Sequence, residues 1–278
     1  RHRSLVAIWA GRSRLCGATC AWMPWAACEE RGECTPGAAG LVRTGCPAGQ
    51  IQQRHCDASC SWVVDVPCTT DCILPARDGR FDADICIPGG TFVMGSFETD
   101  PTYASRMPVH DVILSPYFID RFAVTNGRYR ACVAAGACAA PRNAGAFFFY
   151  VDRATYDSYP VDYLYRSDGI AFCAWDGGRF VPTEAQWEKA ARGPAPRENL
   201  YPWGDDLDYC RYVNHRLCGT GVLVSVDNYP ENISFYGVRG MQGNITEFAR
   251  DFYDVGYYAV SPLLDPEGPP TGTEFAGK

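Results

Sequence analysis

Residues 171–193 read AFCAWDGGRFVPTEAQWEKAARG, and the organisation of the chain follows from this stretch outward. Thr183-Glu-Ala-Gln186 has the form of a capping box. The Thr hydroxyl can accept from the N–H three residues on, while the Gln side chain reaches back to the N-cap amide. Gly193 stands where the chain leaves the helix, a position that favours a residue without a Cβ. Between these stops, Trp187, Ala190 and Ala191 share one face, and Glu188 and Arg192 are spaced i,i+4 for an ion pair. The pattern predicts a helix over 184–192. Upstream, Ser167 is expected to open a second helix to about Trp175, stopped by Gly177 and Gly178.

Further out, Thr125-Asn126 opens a third helix to about Ala135, closed by Gly136. Ile87 to Ser96 joins a turn to a short β-run, and Val109 to Leu114 and Tyr117 to Asp120 read as strands. Beyond Gly193 the pattern shows only turns and short aromatic strands. With 28 Gly, 20 Pro and 13% aromatic residues, this predicts an α+β domain with much irregular structure.

The front of the chain obeys a different rule. Cys16, Cys20, Trp22 and Cys28 recur as Cys56, Cys60, Trp62 and Cys68, each forty residues later. Four coincident offsets define an internal repeat. A unit of about 40 residues cannot bury enough apolar surface to fold by packing alone, so disulfides are expected to substitute for a core. The repeats resemble small thrombospondin-like modules and read as a spacer or a recognition module. The resulting division is 1–73 disulfide-rich repeats, 74–84 linker, and 85–278 the larger domain.

Fifteen cysteines without a C-x-x-C pair point to an oxidising compartment rather than a zinc or thioredoxin-type site. The chain is therefore read as exported (periplasmic, cell-surface or secreted) and bacterial, with any export signal upstream of Arg1. The net charge is −7. Before the break at Arg80 there are nine Arg and seven acids; after it, sixteen basic residues face twenty-five acids. The larger part is acidic, which argues against a nucleic-acid partner. No run approaches the roughly 20 apolar residues of a spanning helix. His2, His55, His110 and His215 fall in no zinc-hydrolase spacing, and His110, in a strand, reads as structural. Asn232-Ile-Ser and Asn244-Ile-Thr are read as chance sequons. The aromatic run Phe147 to Tyr150 is assigned to core packing.

The order and spacing of several segments carry a resemblance: GGTFVMGS (89–96), PVHDVIL (108–114), FIDRFAVTNGRYRACVAAGAC (118–138), YPV (159–161), 171–193, YPWGDD (201–206), FYGVRGMQGNITEF (235–248) and PEGPPTG (266–272). Together they resemble the formylglycine-generating-enzyme (sulfatase-modifying factor) family. The resemblance implies a loop-rich, C-type-lectin-like fold. In active members it implies copper-dependent oxidation of a sulfatase cysteine to formylglycine, and hence a peptide or protein partner. Two closely spaced thiolates suit monovalent copper. In the family those cysteines follow an Arg-Gly-Gly-Ser-type strand, which would come after PEGPPTG. They are absent from this sequence, so no catalytic residue is assigned, the domain is read as C-terminally incomplete, and the chain is expected to be inactive. The alternative is a non-catalytic secreted lectin-like binding or adhesion module.

The resemblance also implies that Cys173 pairs with a cysteine of that final segment; a buried structural thiol is the other reading. Setting Cys173 aside leaves fourteen cysteines, with Cys132–Cys138 and Cys210–Cys218 as local disulfide candidates. Calcium is implied at Gly243, Ile245 and Glu247, and at a second site at Asn214 and His215. Two departures bear on this. Gly240 replaces a family Asp or Asn that would offer an oxygen ligand, and Thr246 stands where the family carries a large aromatic.

Overall fold

A computed structural model describes residues 34–97, 101–142 and 154–278. Cys16, Cys20, Trp22 and Cys28 of the first repeat copy and the Phe147–Tyr150 run lie outside these. The cysteine-rich part forms a three-stranded antiparallel sheet, order β1-β2-β3, from β1 (Ala39–Val42), β2 (Ile51–Cys56) and β3 (Trp62–Thr69). Cys56 faces Trp62 across the turn. That turn is tied by Asp57, whose Oδ1 accepts from the Ser59 and Ser61 amides. Burial is slight: Ile51, Cys56 and Cys60 are the buried hydrophobic side chains here. Disulfides Cys34–Cys56 and Cys46–Cys68, each spanning 22 residues, cross-link the sheet, and Cys60 is also disulfide-bonded. The Arg54 guanidinium lies 4.2 Å over the Trp62 ring, a cation–π contact that adds cohesion where a core is missing.

The sheet is docked on the larger domain. Cys72–Cys86 joins its tail to the first strand of that domain. The Gly89 amide donates to the Thr70 carbonyl at 2.7 Å. A Cβ on Gly89 would sit 1.8 Å from the Gly49 carbonyl oxygen. Backbone therefore meets backbone at a contact that only glycine allows.

The larger domain is built from two-stranded antiparallel pairs. β4 (Asp84–Ile87) pairs with β7 (Tyr117–Asp120), β5 (Gly90–Met94) with β6 (His110–Leu114), and β8 (Phe248–Phe252) with β9 (Phe275–Gly277). The helices are α1 (Asn126–Ala134), α2 (Arg166–Trp175), α3 (Glu184–Arg192) and the single turn α4 (Tyr209–Tyr212).

In α3 the capping box of Thr183 and Gln186 is formed, Gly193 closes the helix, and Glu188 pairs with Arg192 at 3.3 Å. α1 begins after Thr125, whose side chain accepts from the Arg128 amide. α2 starts one residue before Ser167. Its cap is carboxylate chemistry: Asp168 accepts from the Tyr165 amide at 2.7 Å. The turn α4 had no pattern to announce it, being too short for one.

Three apolar clusters hold the domain. Phe92, Met94, Val112 and Leu114 of the β5–β6 pair meet Ala185 and Tyr258. Ile87 of β4 packs with Ala190 and Ala191 of α3 and with Val238 and Met241. Tyr129 and Phe172, ring centroids 5.8 Å apart, join α1 to α2 around Cys132–Cys138. Cys210–Cys218 closes the loop after α4. Lys189 is buried, its ammonium donating to the Pro88 and Gly90 carbonyls at 2.7 and 2.8 Å, and burial lowers its pKa to about 8. Both sequon amides are engaged: Asn232 donates to the Gln242 carbonyl and Asn244 to that of Val224.

Candidate functional site

The elements enclose a central cavity of about 720 Å³, within the range of ligand sites. All four residues of β7 border it, with Leu74 and Pro75 on one side and Thr246, Glu247 and Phe248 on another. Phe180, 78% exposed, stands at its rim.

The floor is ionic. Arg77 reaches Asp84 at 2.9 Å, Asp120 at 2.6 Å and Asp176 at 2.8 Å. Arg128 pairs with Asp120 and Asp176 at 2.8 and 2.7 Å. Arg179 pairs with Asp84 and Asp120 at 3.0 and 2.5 Å. Three guanidiniums thus neutralise three carboxylates drawn from β4, β7 and the end of α2. Burial raises the pKa of Asp120 despite the opposing pull of Arg128 and Arg77. None of these six residues stood out in the sequence, because their pairing runs over separations as long as 99 residues.

Cys173 of α2 borders the same cavity and is the free cysteine among the described residues. Burial, aided by the charges of Asp120 and Asp176, pushes its thiol up to about 11. It is therefore protonated near neutrality, which makes it a weak nucleophile. The copper centre implied by the family takes two thiolates. The described residues offer one free thiol, and so do not fit it.

A second cavity, of about 380 Å³, adjoins the first across Trp187 and Glu247. It brings together Asn214, His215, Gly243, Ile245 and Glu247, the five residues assigned to calcium from sequence. Their donors are hard oxygens, the chemistry calcium takes. Several already hold protein partners. The Asn214 Oδ1 accepts from the Thr220 amide, and its Nδ2 donates to the Val222 carbonyl. The His215 carbonyl accepts from Cys218, and that of Gly243 from Ile245. Glu247 accepts from the Trp187 indole at 2.5 Å, and burial raises its pKa. Among the described residues no group of three or more His, Cys, Asp or Glu could hold a metal, so a calcium ion here would rest on one carboxylate plus carbonyls. Behind Trp187, Lys278 exchanges two backbone hydrogen bonds with Glu247. Its ammonium lies 2.7 Å from Glu184 and 3.5 Å from Glu188.

Fold and site define a class: a loop-rich, disulfide-bonded α+β domain around a central cavity with an ionic floor. The family described as "Sulfatase-modifying factor enzyme 1-like domain" (FGE-sulfatase) matches residues 72–275, and the chain belongs to it. A formylglycine-generating enzyme of Streptomyces coelicolor is 31% identical over 247 residues, covering 71% of this chain and 77% of that protein. One from Thermomonospora curvata is 31% identical over 240 residues, covering 68% and 78%. Among solved structures, Treponema denticola variable protein 1 shares the fold with a TM-score of 0.56 at 18% identity, over 75% of this chain and 86% of that one. No helix among the described residues is long and apolar enough to cross a membrane.

Proposed function

We propose that this chain is a formylglycine-generating-enzyme-type domain whose central cavity recognises an extended protein segment, and that the chain does not itself oxidise a cysteine to formylglycine. The observation that carries this reading is the supply of thiols: among the described residues Cys173 is the one free cysteine, where copper-dependent oxidation calls for a pair of thiolates. The relatives in Streptomyces and Thermomonospora bear the enzyme's name, which is why a protein segment is the proposed partner. The disulfides favour an exported protein, and the net charge of −7 disfavours nucleic acid. The test is to incubate the chain with a sulfatase-motif peptide, copper and oxygen, and to follow both binding and mass. Binding without aldehyde is expected; the aldehyde product would overturn the proposal.

Calcium belongs to this reading as a structural ion at the Gly243–Glu247 loop. Added calcium is expected to raise the melting temperature of the wild type and not of Glu247→Ala; equal behaviour of the two removes the site. A lectin-like binding role is the second reading. It is favoured by Thr246, exposed at the rim of both cavities where the family places a large aromatic. Glycan capture that outcompetes peptide capture would favour it over the first.

A further inference from the structure

The wall of the central cavity formed by residues 73–77 differs from the rest. Leu74, Pro75 and Ala76 are exposed, yet Leu74 and Pro75 border the cavity. Among the described residues, 73–76 make no hydrogen bond. The hydrogen bonds and the disulfide that hold the segment lie at its ends. At one end Cys72 is tied to Cys86 of β4. At the other, Arg77 turns inward between exposed neighbours, Ala76 and Asp78.

Arg77 is held on all sides. Its amide and Nε donate to Asp84 Oδ2 at 3.1 and 3.0 Å, and its carbonyl accepts from the Asp84 amide at 2.9 Å. Its two terminal nitrogens reach Asp176 at 2.8 Å, and Asp84 and Asp120 at 2.9 and 2.6 Å. Arg128 and Arg179 hold the same carboxylates from the far side. Withdrawing Arg77 would therefore leave three carboxylates facing two guanidiniums while the other two arginines kept the floor assembled. A chain pinned at two points, with nothing bonded between them, opens locally at a cost set by the weaker pin. The disulfide is covalent, so that pin is Arg77.

We propose that residues 73–77 form a clasp on the wall of the central cavity, hinged at Cys72 and latched by Arg77, and that release of the latch admits the protein segment. The inference rests on the reading of the cavity as a peptide site. It also gives the cysteine-rich region a part in access, since the hinge is that region's own tail.

Two measurements test it, and neither needs a ligand. In wild-type protein, hydrogen exchange at the Arg77 and Asp84 amides is expected to proceed by local opening, well ahead of the remaining β4 residues Ile85, Cys86 and Ile87. Exchange at these amides only on global unfolding would overturn the clasp, and this arm holds even if a variant fails to fold. In Arg77→Ala, which removes four charged hydrogen bonds, modification of Cys173 by N-ethylmaleimide at fixed pH is expected to accelerate, per thiolate, by about tenfold or more, the scale of losing even one of them. Arg77→Lys should fall between. Losing the Arg77 cation by itself strengthens the pull of Asp120 and Asp176 on the thiol pKa and slows the reaction, so rates are compared per thiolate. An unchanged rate on that basis, or a faster rate with unchanged exchange at Asp84, would overturn the proposal, the second outcome assigning the access to another part of the wall. Because peptide binding enters neither readout, a cavity that binds no peptide and a clasp that does not open are distinguishable results.

Discussion

The sheet of residues 39–69 and the larger domain beside it are stabilised by different means. The sheet buries Ile51 and two half-cystines and little else; covalent cross-links between Cys34 and Cys56 and between Cys46 and Cys68 limit its unfolded ensemble. The domain has three apolar clusters, and its disulfides Cys132–Cys138 and Cys210–Cys218 close loops of only 6 and 8 residues. Short loops lose little entropy on closure, so these bridges matter less to its stability. The contrast separates a fold held by covalent restriction of chain freedom from one held by removal of apolar surface from water.

The comparison can be broken most sharply in the core. Phe92 is fully buried, and Phe92→Ala should destabilise the domain by about 3–5 kcal/mol, seen as a lower melting temperature. Hydrogen exchange should still find β2 and β3 protected; simultaneous loss of protection in both regions would mean that they fold as one unit. The reverse experiment is Cys46→Ser with Cys68→Ser. It should cost the sheet roughly 2–4 kcal/mol, accelerating exchange in β2 and β3 while the β5–β6 ladder keeps its protection.

The third probe is pH. Asp251 is 4% exposed, its Oδ2 accepts from the Glu184 amide at the start of α3, and its Oδ1 has no hydrogen-bond partner among the described residues. Burial raises its pKa from 3.8 to about 6. A carboxyl with a raised folded-state pKa contributes stability that is fully present below about pH 4 and is lost as pH rises through about 6. Asp251→Asn keeps the acceptor and removes the charge. It should be more stable than wild type at pH 7, by on the order of 1–3 kcal/mol, and level with it near pH 4. A variant less stable at pH 7 would show that the charge is needed at the helix N-terminus. The sheet behaves in the opposite sense: the Ser59 and Ser61 hydrogen bonds lower the pKa of Asp57. The smallest effect is the cap: Thr183→Ala should cost about 1 kcal/mol, read in the domain's melting and not in the sheet's.

Much of the site was legible only in part. Glu247 was assigned from its place in GNITEF, and the second cavity does gather Asn214, His215, Gly243 and Ile245 around it. Its hydrogen bond to Trp187, sixty residues away, carried no sequence signal. Arg77 fell in a stretch read as a linker, because Pro75, Gly79 and a scatter of charges describe a linker equally well. Nothing in the sequence singled out Lys189, and only the approach of the Pro88–Gly90 turn to α3 makes it a buried donor.

What the sequence determined by itself was local or patterned. Thr183, Gln186 and Gly193 bound α3 because caps act within one helical turn. Cys132 finds Cys138 because few residues separate them. Family membership was carried by the ordered spacing of short motifs. The tertiary structure alone decided the ionic floor, the upward shift of the Cys173 pKa and the placing of Arg77 among Asp84, Asp120 and Asp176. Each depends on burial and on charges brought together from distant parts of the chain. Desolvation and Coulomb energy are set by distance in space, and no spacing along the sequence encodes that distance.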